Sequence, residues 1–268
     1  MTELKELEMD KKIKIFRTLF MICGSVGIYI LGYLLALSLL SWIPVVREWH
    51  SMYLNAIGMA VAALAVICTI KSAEIDLKMK YKPVLQLLIV AAMAYSASAL
   101  FNILLGMIPW NELFAKPVAP EESTFFGIPW WARILCYEIV APISEELVFR
   151  QVIYKRLRGI SPVWVAVMIS ALLFGLYHGN LVQGIYAFIM GCLLALVYEW
   201  TGSFVAPVLF HMIANHLSDI TYEFEKVSNA VYSPVGGIVS AIVLIVSVGF
   251  MIKIRTNVLK TIESEAKV

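Results

Sequence analysis

Charge is what this sequence has least of. Of 268 residues, 15% are charged and 61% are hydrophobic, whereas a soluble domain carries about a quarter charged residues and just under half apolar ones. The formal net charge is only +2, so nothing in the charge balance suggests a nucleic-acid partner. Cysteine is also sparse. The four, Cys23, Cys68, Cys136 and Cys192, form neither a CxxC pair nor a disulfide framework, and free thiols are expected. An A-x-A-like cleavage site is missing after the first apolar run, so no cleavable signal peptide is expected. The ending SEAKV is not a CaaX box, so prenylation of this C-terminus is not expected. Sequence repeats, low-complexity stretches and a soluble domain are likewise missing.

What is present is long apolar runs, and the mean hydropathy is +0.83. Eight segments can be read, roughly 16–43, 53–70, 84–108, 130–154, 162–178, 181–200, 204–219 and 237–254. Lengths near 20 residues predict transmembrane helices, and hence an all-α, polytopic membrane helix bundle of about eight spans. All seven tryptophans (Trp42, Trp49, Trp110, Trp130, Trp131, Trp164 and Trp200) lie within a few residues of a segment end, as interfacial indoles do. Segments 5 and 7 are short for a full span, which packed neighbours or a wet cavity can accommodate. Three parts follow: residues 1–129 with helices 1–3, a core at 130–220 with helices 4–7, and 221–268 with a loop, the last helix and a tail.

Basic residues alternate between connections. Lys11, Lys12, Lys14 and Arg17 precede segment 1, and Lys71, Lys78, Lys80 and Lys82 follow segment 2. Lys155, Arg156 and Arg158 follow segment 4, and Lys253, Arg255 and Lys260 follow segment 8. Intervening connections carry few: Arg47, Lys116 and Lys226. The positive-inside rule then predicts a multi-pass protein of the cell membrane with both termini cytoplasmic. The proline-rich acidic connection NELFAKPVAPEEST is expected to be a surface loop.

Against this apolar background the polar residues of segments 4, 5 and 7 stand out. Glu145, Glu146 and Arg150 lie in the middle of segment 4. Left unpaired, three such charges would cost on the order of 8–10 kcal/mol at the bilayer centre. Glu146 and Arg150, at i and i+4, are expected to pair. Glu145 then remains over, about 100° round the helix, and a carboxylate without a cationic partner in low dielectric is suited to exchanging protons. Pro142 is expected to kink the helix beside it. Phe174 and His178 share a helix face, as do His211 and Asn215, while His216 falls off that face. Almost nothing else polar is expected at this depth apart from Asn102 and some hydroxyl and Gln side chains. Gly175, Gly179, Gly184 and Gly191 are expected to let helices approach closely.

The ordered motifs Glu145-Glu146-Leu147-Val148-Phe149-Arg150, Phe174 to His178, and His211 to Asn215 resemble the EExxxR, FxxxH and HxxxN pattern of the CPBP family, the CAAX proteases and bacteriocin-processing enzymes also called Abi or Rce1-like intramembrane proteases. The stretch TGSFVAPVLFHMIAN is similar to that family's approach to its last motif. The resemblance covers roughly 130–220. It implies peptide-bond hydrolysis within the membrane, with Glu145 and His178 activating water and His211 and Asn215 stabilising the oxyanion. Glu146, Arg150 and Phe174 would support them. It further implies a peptide or membrane-protein substrate, lipidated in CAAX processing, reached among membrane lipids. No cofactor is expected. The competing chemistry is a zinc site with Glu145, His178 and His211 as ligands, against which stand the lack of an HExxH helix and the poor affinity of asparagine for zinc. Two other functions fit the same residues. One is a non-catalytic immunity or regulatory protein of this fold. The other is a proton-relaying transporter, although no pair of broken segments marks inverted halves.

Overall fold

The computed structural model describes residues 2–69, 75–79, 81–110 and 127–265, and all its regular elements are helical. Eight long helices occupy the eight apolar segments: α1 (Thr2–Ser41), α2 (Ser51–Thr69), α3 (Pro83–Gly106), α4 (130–158), α5 (Val163–Tyr177), α6 (Leu181–Thr201), α7 (Val205–Glu223) and α9 (Pro234–Glu265). A short helix α8 (Glu225–Val231), not anticipated from the sequence, links α7 to α9. Helices α1, α2, α3, α6 and α9 are each long and apolar enough to cross a membrane unaided. The chain is a multi-pass membrane protein.

The core is made of close helix pairs: α1 with α2, α5 with α6, α3 with α9, and α3 with α7. Helix α4 runs through their centre, touching α1, α2, α5 and α7, so its polar residues are shielded by protein on several sides. The glycines explain one of these pairs. A Cβ on Gly175 would stand 2.6 Å from the Gly184 carbonyl oxygen, and one on Gly184 would stand 2.9 Å from that of Gly175. Gly191 likewise meets Ala171 at 3.1 Å. These three keep α5 and α6 in backbone contact, as expected of small residues in a bilayer. Gly179 does something else: a Cβ there would meet open space, and its φ is +68°. Its role is the left-handed turn that joins α5 to α6.

The two ends of the bundle differ. At one end Asp76, from the α2–α3 connection, accepts from Tyr198 at 2.6 Å and pairs with Lys155 at 2.7 Å. Glu199 gathers Tyr154, Arg158 and Arg255 at the same end. Three of the basic residues that define the expected cytoplasmic side, Lys155, Arg158 and Arg255, are thus held by two acidic ones. The acidic connection at 111–124, read as a surface loop, lies outside the described residues.

Helix α4 is irregular where it matters. Between short α-helical stretches it adopts π-helix at Ile134–Val140 and Leu147–Tyr154, with Ala141–Glu146 as the regular turn between them. Pro142 sits in that turn, where its missing N–H and its ring prevent a continuous α ladder. The expected disturbance beside Pro142 is present as two π stretches, a form often found at functional sites. Ser170 of α5 donates a 2.8 Å hydrogen bond to the carbonyl of Phe149 within the second stretch, satisfying a backbone group that the widened helix presents.

Candidate active site

Glu146 is the pivot of the site. Its carboxylate is fully buried and holds Arg150 Nε at 3.0 Å through one oxygen. Through the other it accepts from His211 Nδ1 at 2.9 Å. The pair expected one turn apart on α4 therefore exists, and it also fixes a histidine from α7. Arg150 lies over the face of Phe174, 4.7 Å from the ring centroid, and donates to the Gly191 carbonyl at 3.3 Å. Two sequence-distant elements, α5 and α6, are thereby locked to the same guanidinium.

Both site histidines are held by Nδ1. In His178, just past the end of α5, Nδ1 lies 2.8 Å from the Phe174 carbonyl oxygen. A carbonyl can only accept, so the proton is on Nδ1 and Nε2 keeps its lone pair. In His211 the partner is the Glu146 carboxylate, and Nε2 lies 3.8 Å from Glu145, beyond direct hydrogen bonding but close for an ion pair. The Phe174 ring packs edge-on against both, at 4.8 Å from His178 and 5.7 Å from His211. Phe149 and Tyr177 complete this aromatic support. Asn215 donates to the Tyr137 carbonyl at 2.9 Å, leaving its Oδ1 and one N–H uncommitted by that bond.

A cavity of about 630 Å³ faces these groups, lined by His178, His211, Asn215, Asn102 and Tyr186 together with apolar residues including Leu105, Met190, Leu194 and Phe210. Its size falls in the range of ligand sites. Glu145 is buried and, among the described residues, lines neither this cavity nor its smaller neighbour. It meets the large cavity through His211.

One expectation is corrected here. Segment 4 holds two further buried charges, Arg133 and Glu138, which were not anticipated at this depth. Arg133 pairs with Asp219 at 2.9 Å and Glu223 at 2.6 Å, and Glu138 binds His216 Nδ1 at 2.8 Å. This second ionic network clamps α4 to α7 on the cavity side. Arg133 and Asp219 are 86 residues apart in the chain, and so are invisible to any i, i+4 rule. The off-face position of His216 was the available signal.

The zinc alternative asks for Glu145, His178 and His211 to converge. Each histidine has an Nε2 available, as zinc ligands do. Among the described residues, however, no group of three or more His, Cys, Asp or Glu side chains is spaced to hold a metal ion.

A polytopic helical bundle with two histidines and an asparagine at a cavity, and two buried carboxylates behind one of those histidines, holds groups suited to acid–base chemistry. Residues 127–217, which build that site, match the family described as type II CAAX prenyl endopeptidase Rce1-like. The chain is 24% identical over 208 residues, 71% of its length and 84% of the relative's, to the membrane-embedded CAAX protease MroQ of Staphylococcus aureus (strain USA300). It is 32% identical over 82 residues, 31% of its length and 34% of the relative's, to the putative membrane peptidase YdiL of Bacillus subtilis (strain 168). No solved structure matches. These matches support a membrane protease whose residues 127–217 are similar to the CAAX-protease type.

Proposed function

We propose that the protein is an intramembrane endopeptidase in which Glu145 and His178 activate the hydrolytic water without a resident metal. The observation that carries this reading is the anchoring of both histidines by Nδ1. That leaves two Nε2 atoms for a cavity whose wall also includes Asn215. A base must be fixed in its tautomer before it can take a proton from a defined direction. Water attacks the scissile carbonyl carbon, its proton passes through Glu145 and His178 to the leaving amine, and the C–N bond breaks. His211 and Asn215 supply hydrogen bonds to the oxyanion. Donation from His211 Nε2 as well as Nδ1 requires the doubly protonated ring, whose charge Glu146 and Glu145 can balance. Preorganised donors of this kind, each worth about 10²–10³ in kcat, act most strongly where water is excluded.

The largely apolar wall of the 630 Å³ cavity favours a peptide or membrane-protein tail with an apolar or lipidated segment. The cavity is walled by the C-terminal end of α3 and the α5–α6 turn, opposite the basic end of the bundle. Helix α5, with 15 residues, rises about 22 Å, less than the roughly 30 Å of hydrocarbon. Anchored at the basic end, it would bring His178 below the far interface. With the termini cytoplasmic, substrate would enter from the non-cytoplasmic side.

Purified protein in proteoliposomes should cleave an internally quenched peptide, tested with and without an S-farnesyl group. His178→Ala should lower the rate by about 10²–10⁴, the usual weight of a general base. Cleavage should persist in excess chelator, and loss of activity restored by added zinc would overturn the metal-free reading.

A further inference from the structure

A second cavity, of about 450 Å³, lies on the other side of the α5–α6 turn, lined by Tyr29, Ile30, Tyr33, Asn55, Tyr177, His178 and Gln183. Its wall comes from α1 and α2, helices absent from the wall of the larger cavity. The two cavities share His178 and Gln183. Their chemistry differs, because three tyrosines and an asparagine furnish most of the smaller one. Tyr33 donates to Asn55 at 2.7 Å near its exposed rim. Deeper in, the Tyr29 residue is only 5% exposed, and its hydroxyl comes near that of Tyr177 without completing a hydrogen bond of ordinary geometry. Its polar neighbours are Tyr177, Glu145 and Tyr33. Glu145 is likewise within electrostatic reach of Tyr177. Helices α1 and α2 both pack on the part of α4 that follows Ala141.

A buried hydroxyl whose hydrogen bond is poorly formed carries a free-energy penalty, and a polar, roomy cavity beside it is where a water molecule finds partners. A water occupies about 30 Å³, so the chamber has room for several. Hydrolysis consumes one water per turnover, and a peptide filling the larger cavity would close that side to solvent.

We propose that this tyrosine-lined chamber delivers the hydrolytic water to Glu145 from the face opposite the peptide, and that Tyr29 is a positioning residue for that step. This rests on Glu145 and His178 being the water-activating pair. The Tyr29 hydroxyl donates to the Glu145 carboxylate or to the water it holds, and keeps its own proton throughout. The water oxygen bonds to the peptide carbonyl carbon, the C–N bond breaks, and the water proton reaches the amine through Glu145 and His178. Tyr29 thus aims the reagent and takes no part in the proton count.

The test uses the full chain in proteoliposomes with the internally quenched farnesylated peptide, comparing Tyr29→Phe, Ile30→Trp and Glu145→Gln. Tyr29→Phe removes one oxygen and should lower kcat roughly tenfold, the weight of one hydrogen bond to a charged group, with KM within about twofold by the same reasoning. Ile30→Trp fills the chamber and should give the same split, a lower kcat at unchanged KM. A merely structural role would instead lower thermal stability and leave kcat of the folded fraction intact. Full kcat in both chamber variants, with Glu145→Gln inactive, would overturn the chamber and leave the Glu145 reading standing. A raised KM with unchanged kcat would show that the chamber holds peptide, and would also overturn it. Full activity in Glu145→Gln would overturn both readings.

Discussion

Glu146 and Arg150 are fully buried, and each serves more than one partner, so they hold the site together. Removing the charge of Glu146 would strand the guanidinium and release His211 at once. Breaking a buried pair by removing one partner typically costs about 3–5 kcal/mol. Glu146→Gln should therefore lower resistance to denaturation in detergent by an amount of that order, and reduce cleavage as well. Glu145 has only the longer 3.8 Å approach to His211, so Glu145→Gln should cost much less, within about 1 kcal/mol. Thermal unfolding of the two variants side by side checks this contrast, and equal destabilisation would contradict the division of roles. At this scale the sequence was informative. The i, i+4 spacing gave the Glu146–Arg150 pair and the Phe174–His178 contact, because both are set by one helix. The Glu146–His211 bond spans 65 residues, and only the fold could reveal it.

Among elements, the α5–α6 pair and the α4–α7 clamp have different chemistry and should fail differently. Gly175 and Gly184 hold backbones together, and a methyl group at Gly175 would meet a carbonyl oxygen at 2.6 Å. Gly175→Ala should cost about 1–3 kcal/mol by overpacking. It should also lower activity, since His178 sits three residues further on. Gly179→Ala meets no neighbour, and should cost about 1–2 kcal/mol through its positive φ alone. Denaturant titration of both separates the two glycine roles. Arg133→Met should loosen α4 from α7 by about 3–5 kcal/mol, as expected when Asp219 is left buried and unpaired. Five of the helices were legible as apolar runs of membrane length, and α4, α5 and α7 as the shorter or polar-interrupted apolar runs between them. The π stretches of α4 and the short α8 were not, since neither leaves a periodic apolar signature. Arg133 and Glu138 sat in plain view in segment 4, but their partners lie on another helix.

For the whole molecule, Lys155, Arg158 and Arg255 meet at one end, tied through Asp76 and Glu199, while the cavities lie towards the other. The positive-inside reading therefore predicts that Lys78 faces the cytoplasm and Lys226 the outside. Both are exposed. In intact cells expressing a version without native cysteines, Lys226→Cys should react with an impermeant maleimide, and Lys78→Cys should react only after permeabilisation. The reverse pattern would invert the topology and move the cavity mouth to the cytoplasmic side. Substrate identity has no signature in the spacing of a few polar residues; it depends on the shape of a cavity assembled from α3, α6 and α7.

The central claim is that this membrane protein cleaves peptide bonds with Glu145. Its most direct test is mass spectrometry of a farnesylated peptide incubated in ¹⁸O-labelled water with wild-type and Glu145→Gln protein in proteoliposomes. Wild-type protein should yield two fragments, one carrying ¹⁸O in its new carboxylate, and Glu145→Gln should reduce their formation by about 10²–10⁴ at unchanged thermal stability. Equal fragment yields from the two proteins would contradict the account.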